Sequence, residues 1–162
     1  MNQREIDEAQ QAYIVNKAVG TCLHIGCGMK RIEGAVNLDP NPERWRWADV
    51  AAVGDRLPFA DGVFDSVVSS HVLNLFPDIE KALHEMTRVL KVGGRMAHVV
   101  PDWRHAPDRL SSNHRFERQA NGWYGPTDFR LELTGLLDVL LVATLENFVE
   151  FEWSFKFEGV KL

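Results

Sequence analysis

A chain of 162 residues, 45% of them hydrophobic, has the size of one domain and enough apolar side chains to cover both faces of a sheet. Its 18 Lys and Arg stand against 23 Asp and Glu, a formal net charge of -5, so its overall field attracts neither a phosphate backbone nor an anionic lipid surface. Nucleic-acid and membrane partners are disfavoured on that ground.

The first residues, MNQREIDEAQ, are polar and acidic where a secretory signal is basic and then apolar. The longest apolar run, LLDVLLVATL, is short and carries Asp138. A soluble, cytoplasmic protein is expected. Positions 3 to 19 predict a helix with Ile6, Ala9, Tyr13 and Ile14 toward one side, stopped by Gly20. The strand TCLHI follows at once. AVNL at 35 to 38 predicts a second strand, and DVAAV at 49 to 53 a weak third, since alanines lower its strand propensity. FDSVVSS, 64 to 70, predicts a fourth.

The clearest helix spans 78 to 90. There Ile79, Ala82, Leu83, Met86, Val89 and Leu90 share a face opposite the charged Glu80, Lys81, Glu85 and Arg88, and Gly93-Gly94 lies just past its end. MAHVVP at 96 to 101 predicts a strand, about 128 to 142 a helix, and LENFVEFEWSFKF a strand with one wet face. With 20 residues left after position 142, a C-terminal hairpin is expected to shorten to one long strand. Short strands alternating with helices predict an α/β fold, a three-layer α/β/α sandwich on a mostly parallel sheet with the first strand in its middle. Residues 1–162 form one domain in this reading. Positions 20–102 are its core, 103–127 a long irregular segment and 128–162 a closing helix and strand.

Two cysteines, Cys22 and Cys27, flank His24. They fit a reducing compartment, and no further Cys or His cluster follows at the spacing a four-ligand zinc site needs, so no metal is expected. Gly26-Cys27-Gly28 ends the first strand, where open α/β sheets bind ligands. A dinucleotide fingerprint would need a third glycine where Arg31 stands and an acid about 20 residues on. The acid here is Asp39, so a nicotinamide oxidoreductase is disfavoured. Between Gly26 and Ala35 lie eight residues. Extended, they span about 26 Å, enough to retrace a short strand but too few for the usual helical crossover. With no long helix dipole behind the turn, the bound group should be one that the turn's own backbone amides can satisfy.

LHIGCGMKRIEGAVNLD, then DRLPFADGVFDSVVSSHVL, then ALHEMTRVLKVGGRMAHVVPD resemble successive motifs of class I S-adenosylmethionine-dependent methyltransferases. They are most similar to a short subgroup with little helix after the first strand. The resemblance covers about residues 20 to 102 and implies a Rossmann-like fold, S-adenosylmethionine as cofactor and methyl transfer as activity. It places Gly26, Cys27 and Gly28 against the methionyl part of the cofactor and Asp39 on its ribose hydroxyls. It also places Asp55, Arg56 and Leu57 at the adenine pocket, although the family's acid usually falls where Val53 stands. Ser70 and His71 follow the fourth strand beside the cofactor. The position of His24 is usually acidic in the family, and the third small residue of its loop is Lys30 here.

Methyl transfer from a sulfonium needs alignment more than a catalytic signature. The fourth strand runs into SSHVLNLF where an NPPY-type stretch would mark amino-methylation of nucleobases or protein amides. His71 is a candidate base, with His105 and His114 as alternatives; His84 and His98 fall in a helix and a strand and read as structural. Arg104, Arg109, Arg115 and Arg118, with Trp103, Trp123 and Tyr124, suggest a lid over an anionic or ring-bearing small molecule. The sequence thus predicts a small-molecule methyltransferase acting at oxygen. A non-catalytic protein that keeps the fold and binds cofactor or a protein partner is the alternative, and oligomeric state is left open.

Overall fold

The computed structural model describes residues 2–44, 46–101, 140–147 and 154–161. The chain opens with helix α1, Gln3–Lys17. Asn2 starts it by a reciprocal cap, its Oδ1 accepting the Glu5 N–H at 3.0 Å while the Glu5 carboxylate accepts the Asn2 N–H at 2.8 Å. The predicted apolar side is the buried one: Ile6 and Ile14 are core, and Ala9 and Tyr13 pack against it.

Strands β1 (Cys22–Ile25), β2 (Val36–Leu38) and β3 (Phe64–Ser70) are followed by helix α2 (Ile79–Val89) and strand β4 (Leu90–Pro101). Strands β5 (Leu140–Asn147) and β6 (Ser154–Lys161) close the sheet, whose order is β2-β1-β3-β4-β6-β5. The first three pairings are parallel. β6 runs antiparallel to both β4 and β5, so five strands point one way and β6 alone is reversed. β1 lies inside the sheet, with β2 on one side and β3 on the other. The order of strands reverses there, and a crevice opens at the carboxyl ends of the strands.

The two faces divide the core by the period-two alternation of each strand. Leu23, Ile25, Val67 and Met96 face α2 with Leu83 and Met86; Cys22, Val68, Ala97 and Val99 face α1 with Ile6 and Ile14. The expected three layers, helix over sheet over helix, are therefore present.

Four expectations change. Positions 49 to 53 form only a single bridge, Leu38 to Val50, because their backbone is drawn to β2 at one point where Asn37 O accepts the N–H groups of Asp49 and Val50. Gly93-Gly94 does not end α2: Leu90 is already extended, and the glycines sit within β4. The β3–β4 register moves there from Phe64/Leu90 to Ser66/Arg95, which leaves residues 91–94 bulged, with Gly93 at φ 77°. The helix expected at about 128 to 142 is corrected at 140–142, which belong to β5; its earlier part lies outside the described residues. The C-terminal hairpin is not shortened to one strand, since β5 and β6 pair over eight-residue strands.

The charged side of α2 also has a function that periodicity concealed. Arg88 donates to the carbonyls of Phe59 and Leu57 at 2.8 and 3.1 Å and pairs with Glu85 and Asp61 at 2.6 and 2.7 Å. Glu85 in turn accepts the Leu57 N–H at 2.8 Å. These two side chains hold the loop 55–63 against the helix.

Candidate functional site

The glycine turn is shaped by its neighbours. Gly26 has φ 65°, and a Cβ there would lie 2.3 Å from a Val72 methyl, so both backbone conformation and packing demand glycine. Gly28, at φ 53°, has nothing within 4 Å of its would-be Cβ: open space adjoins this backbone. The crossover to β2 contains no helix, as its length requires.

What replaces the helix is Asn37, fully buried in β2. Its Oδ1 accepts the Ile32 N–H at 2.9 Å, and its Nδ2 donates to the carbonyls of Ile32 and Ala35 at 2.9 and 3.0 Å. One side chain thereby satisfies backbone groups that a helix would have paired internally. Arg31 closes the outer side of the crossover, donating to Trp47 O at 3.2 Å and to Asp49 at 2.7 Å.

The amides expected to greet a ligand are engaged within the protein. Gly26 and Cys27 both donate to Leu38 O, at 2.8 and 3.1 Å, and Gly28 donates to Asp39 Oδ2 at 2.9 Å. Asp39, 8% exposed, also accepts the Asn41 N–H on Oδ1 at 2.9 Å. Each of its oxygens thus holds one N–H and keeps a second acceptor direction.

Two concavities meet at Gly26, Ser70 and His71. The larger, about 690 Å³, is bounded by Asp39, Asp55, Arg56, Val72 and Phe76. Its size is that of a cleft for a nucleoside-sized ligand. The smaller, about 200 Å³, is bounded by Asp7 and Gln10 of α1 with His24, Cys27 and Lys30. Of the predicted residues, Gly26, Asp39, Asp55, Arg56, Ser70 and His71 thus come together at the larger cleft and Cys27 at the smaller. Asp55 lies 3.7 Å from Lys81. Leu57 is placed elsewhere: at 5% exposure it packs in the core beneath the loop. His105, His114 and the arginine-rich segment lie outside the described residues.

His71 adopts φ 57°, unusual for a residue with a side chain, and its N–H donates to Val99 O at 2.8 Å. Its Nε2 meets Gln10 Oε1 at 3.1 Å. Such strained conformations gather at functional sites. Burial dominates two other groups. It holds the His24 imidazole below its ordinary pKa, against the opposing pull of the Asn37 hydrogen bond and the Asp39 charge. It pushes the Cys27 thiol up to about 11, assisted by Asp39 and Asp49, so this cysteine is a packed thiol rather than a nucleophile. Among the described residues no group of three or more His, Cys, Asp or Glu is placed to hold a metal.

Sequence reasoning missed Asn37, Gln10 and Asp7. A polar Asn inside the short apolar strand AVNL was the available signal, since a buried amide needs partners. Nothing local marked the α1 residues, which only tertiary packing brings to the strand ends.

The sequence profile of the family described as a methyltransferase domain matches residues 21–98. A mitochondrial 2-methoxy-6-polyprenyl-1,4-benzoquinol methylase from Leishmania donovani is 45% identical over 75 residues, 45% of this chain and 23% of that protein. A demethylmenaquinone methyltransferase from Thermobifida fusca is 45% identical over 58 residues, 36% of this chain and 24% of that protein. The chain thus spans about a quarter of the length of these curated relatives. Among solved structures, a SAM-dependent methyltransferase from Thermotoga maritima superposes with a TM-score of 0.71 at 17% identity, covering 98% of this chain and 90% of that one. The N-methyltransferase NodS from Bradyrhizobium japonicum gives 0.62 at 16% identity, covering 99% of each. At these identities the structural likeness speaks for the fold, and the local sequence match speaks for the domain. Residues 21–98 thus match the family described as a methyltransferase domain, and the chain has the fold of the solved SAM-dependent methyltransferase from Thermotoga maritima.

Proposed function

We propose that this protein is an S-adenosylmethionine-dependent methyltransferase acting on a small molecule. The observation that carries the reading is the cleft at the carboxyl ends of β1, β2 and β3, lined by Gly26 and by an Asp39 carboxylate that holds the Gly28 N–H and retains further acceptor directions. The residues fit the cofactor. Asp39 suits a pair of ribose hydroxyls, Asp55 and the apolar Val72 and Phe76 suit a purine, and Gly28 leaves room for close approach. When bound, the cofactor supplies an activated methyl group on sulfur.

The chain itself has to align an acceptor and exclude water. His71, which lines both concavities, takes a proton from the acceptor in this reading, with Gln10 orienting its ring; the Nε2 contact to Gln10 supports it. The acceptor in this reading is a ring-bearing molecule carrying a hydroxyl. The names of the Leishmania donovani and Thermobifida fusca relatives, which are quinone-type methyltransferases, support a ring; the absence of an NPPY-type stretch is in keeping with transfer at oxygen. A relative from Haemophilus ducreyi, 53% identical over 47 residues, is named a C-methyltransferase, so carbon is the competing atom. Among the described residues no helix is long and apolar enough to cross a membrane, and a cytoplasmic site of action is part of the proposal.

Incubation with labelled cofactor and a panel of phenols and hydroquinones tests this, with mass spectrometry locating the methyl group. Label on the ring oxygen is the expected result, and label on carbon reassigns the acceptor atom. Cofactor binding without turnover on any acceptor would return the protein to a non-catalytic binder. For the base, His71→Gln should lower turnover by about 100-fold or more while cofactor affinity stays within a few-fold. Equal losses in both would make His71 a pocket wall.

A further inference from the structure

At the amino ends of the strands, opposite the candidate site, α1, β4 and β6 border a further cavity of about 380 Å³. Small-molecule sites commonly measure about 300 to 1,000 Å³, so this one is of useful size. Asn16 and Lys17 at the end of α1 form one wall and Arg95 of β4 another, while Val19, Ala97 and Val160 supply apolar surface. The walls are pinned from behind. Ser66 Oγ accepts the Val19 N–H at 3.0 Å and donates to Val19 O at 2.8 Å, which fixes the chain as it leaves α1. Glu158 of β6, also at the cavity, accepts from Tyr13 Oη and from Lys17 Nζ, the latter at 3.1 Å, and so ties α1 to the sheet. These bonds hold the cavity's shape without help from a ligand.

Charge then selects the occupant. Glu158 is already matched by Lys17 and Tyr13, whereas Arg95 is exposed and its guanidinium makes no hydrogen bond or ion pair among the described residues. The cavity therefore carries one cation in excess, in a chain whose formal net charge is -5. A guanidinium presents a planar fork of donors that meets a carboxylate in two parallel hydrogen bonds. One unmatched cation suits a monoanion; a phosphate dianion would face Glu158 with no second cation to offset it. The apolar surface beside Arg95 favours hydrocarbon on that anion, because a bare small ion would leave it in water.

We propose that this cavity is a second ligand site that takes a small monocarboxylate with an apolar body, its carboxylate on Arg95 and its hydrocarbon against Val19, Ala97 and Val160. The assignment is independent of the cofactor reading, because no residue of this cavity lines either concavity at the carboxyl ends of the strands.

Octanoate is the probe, with octanol as its uncharged counterpart and inorganic phosphate as an anion without hydrocarbon. Titrated into the nitrogen-15-labelled protein, octanoate should saturate one site and move the amides of residues 16–19, 95–97 and 158–160. Octanol and phosphate should each bind at least about ten-fold more weakly, since each lacks one of the two contacts. Arg95→Gln should weaken octanoate by about ten-fold or more and leave the urea midpoint unchanged, because the guanidinium has no partner to lose. Octanoate that does not saturate, that binds Arg95→Gln as tightly as the wild type, or that moves the amides of Gly26 and His71 instead overturns the proposal. Octanol or phosphate binding as tightly as octanoate overturns it as well.

Discussion

Two of the crossovers that carry the chain between parallel strands solve the same problem differently. Between β3 and β4 the chain forms α2, whose apolar face, Ile79, Ala82, Leu83 and Met86, is buried on the sheet. Its backbone satisfies itself, and its task is packing. Between β1 and β2 the chain is too short for a helix, and one buried amide, Asn37, takes over the backbone pairing. That second solution leaves polar side chains and a bare glycine backbone at the strand ends. A self-satisfied helix builds core, whereas a crossover held by side chains builds a site.

The contrast breaks hardest at Asn37. Asn37→Leu removes the partners of Ile32 N–H, Ile32 O and Ala35 O at once inside the protein and should cost about 3 to 5 kcal/mol in urea unfolding, with loss of cofactor binding. A cost below about 1 kcal/mol would show that the crossover does not depend on this amide. Asp39→Ala comes next and tests the site rather than the frame. It should weaken S-adenosylmethionine by about 1.5 to 3 kcal/mol in calorimetry. Because Asp39 also accepts the N–H groups of Gly28 and Asn41, stability should fall by about 1 to 2 kcal/mol, a loss that a carboxylate facing only a ligand would not entail. Affinity unchanged in the folded variant would remove Asp39 from the ribose site. The smallest effect belongs to the helical crossover. Arg88→Ala frees the carbonyls of Leu57 and Phe59 on a partly exposed loop, so unfolding should shift by only about 1 kcal/mol. The loop bearing Asp55 should nonetheless loosen, read as faster amide exchange over residues 55–63.

Elements whose own periodicity matches their burial were legible in the chain. α1 and α2 appear within two residues of their predicted bounds, and β1, β2 and β3 within one, because local hydrogen bonding and a single apolar stripe specify each. The absence of a helix after Gly26 followed from length alone. Asp39 was identified through resemblance, and it does stand at the end of β2 beside the glycine turn.

Periodicity misled wherever long-range pairing outweighed local preference. LLDVLLVATL reads equally as helix or strand, and at 140–147 pairing with β6 decides for strand. Gly93-Gly94 resembles a helix stop, yet the register between β3 and β4 makes it a bulge. Glu85 and Arg88 looked like a wet helix face because charge pattern cannot reveal a loop arriving from 28 to 31 residues earlier. The sequence by itself determined which residues are apolar, where the short crossover falls and which acid follows β2, since these depend on spacing. Only the tertiary structure decided that His24 meets Asn37, that Gln10 meets His71 and that the turn amides are engaged internally. Those contacts join residues 13 and 61 positions apart, and a hydrogen bond is fixed by distance in space rather than distance in sequence.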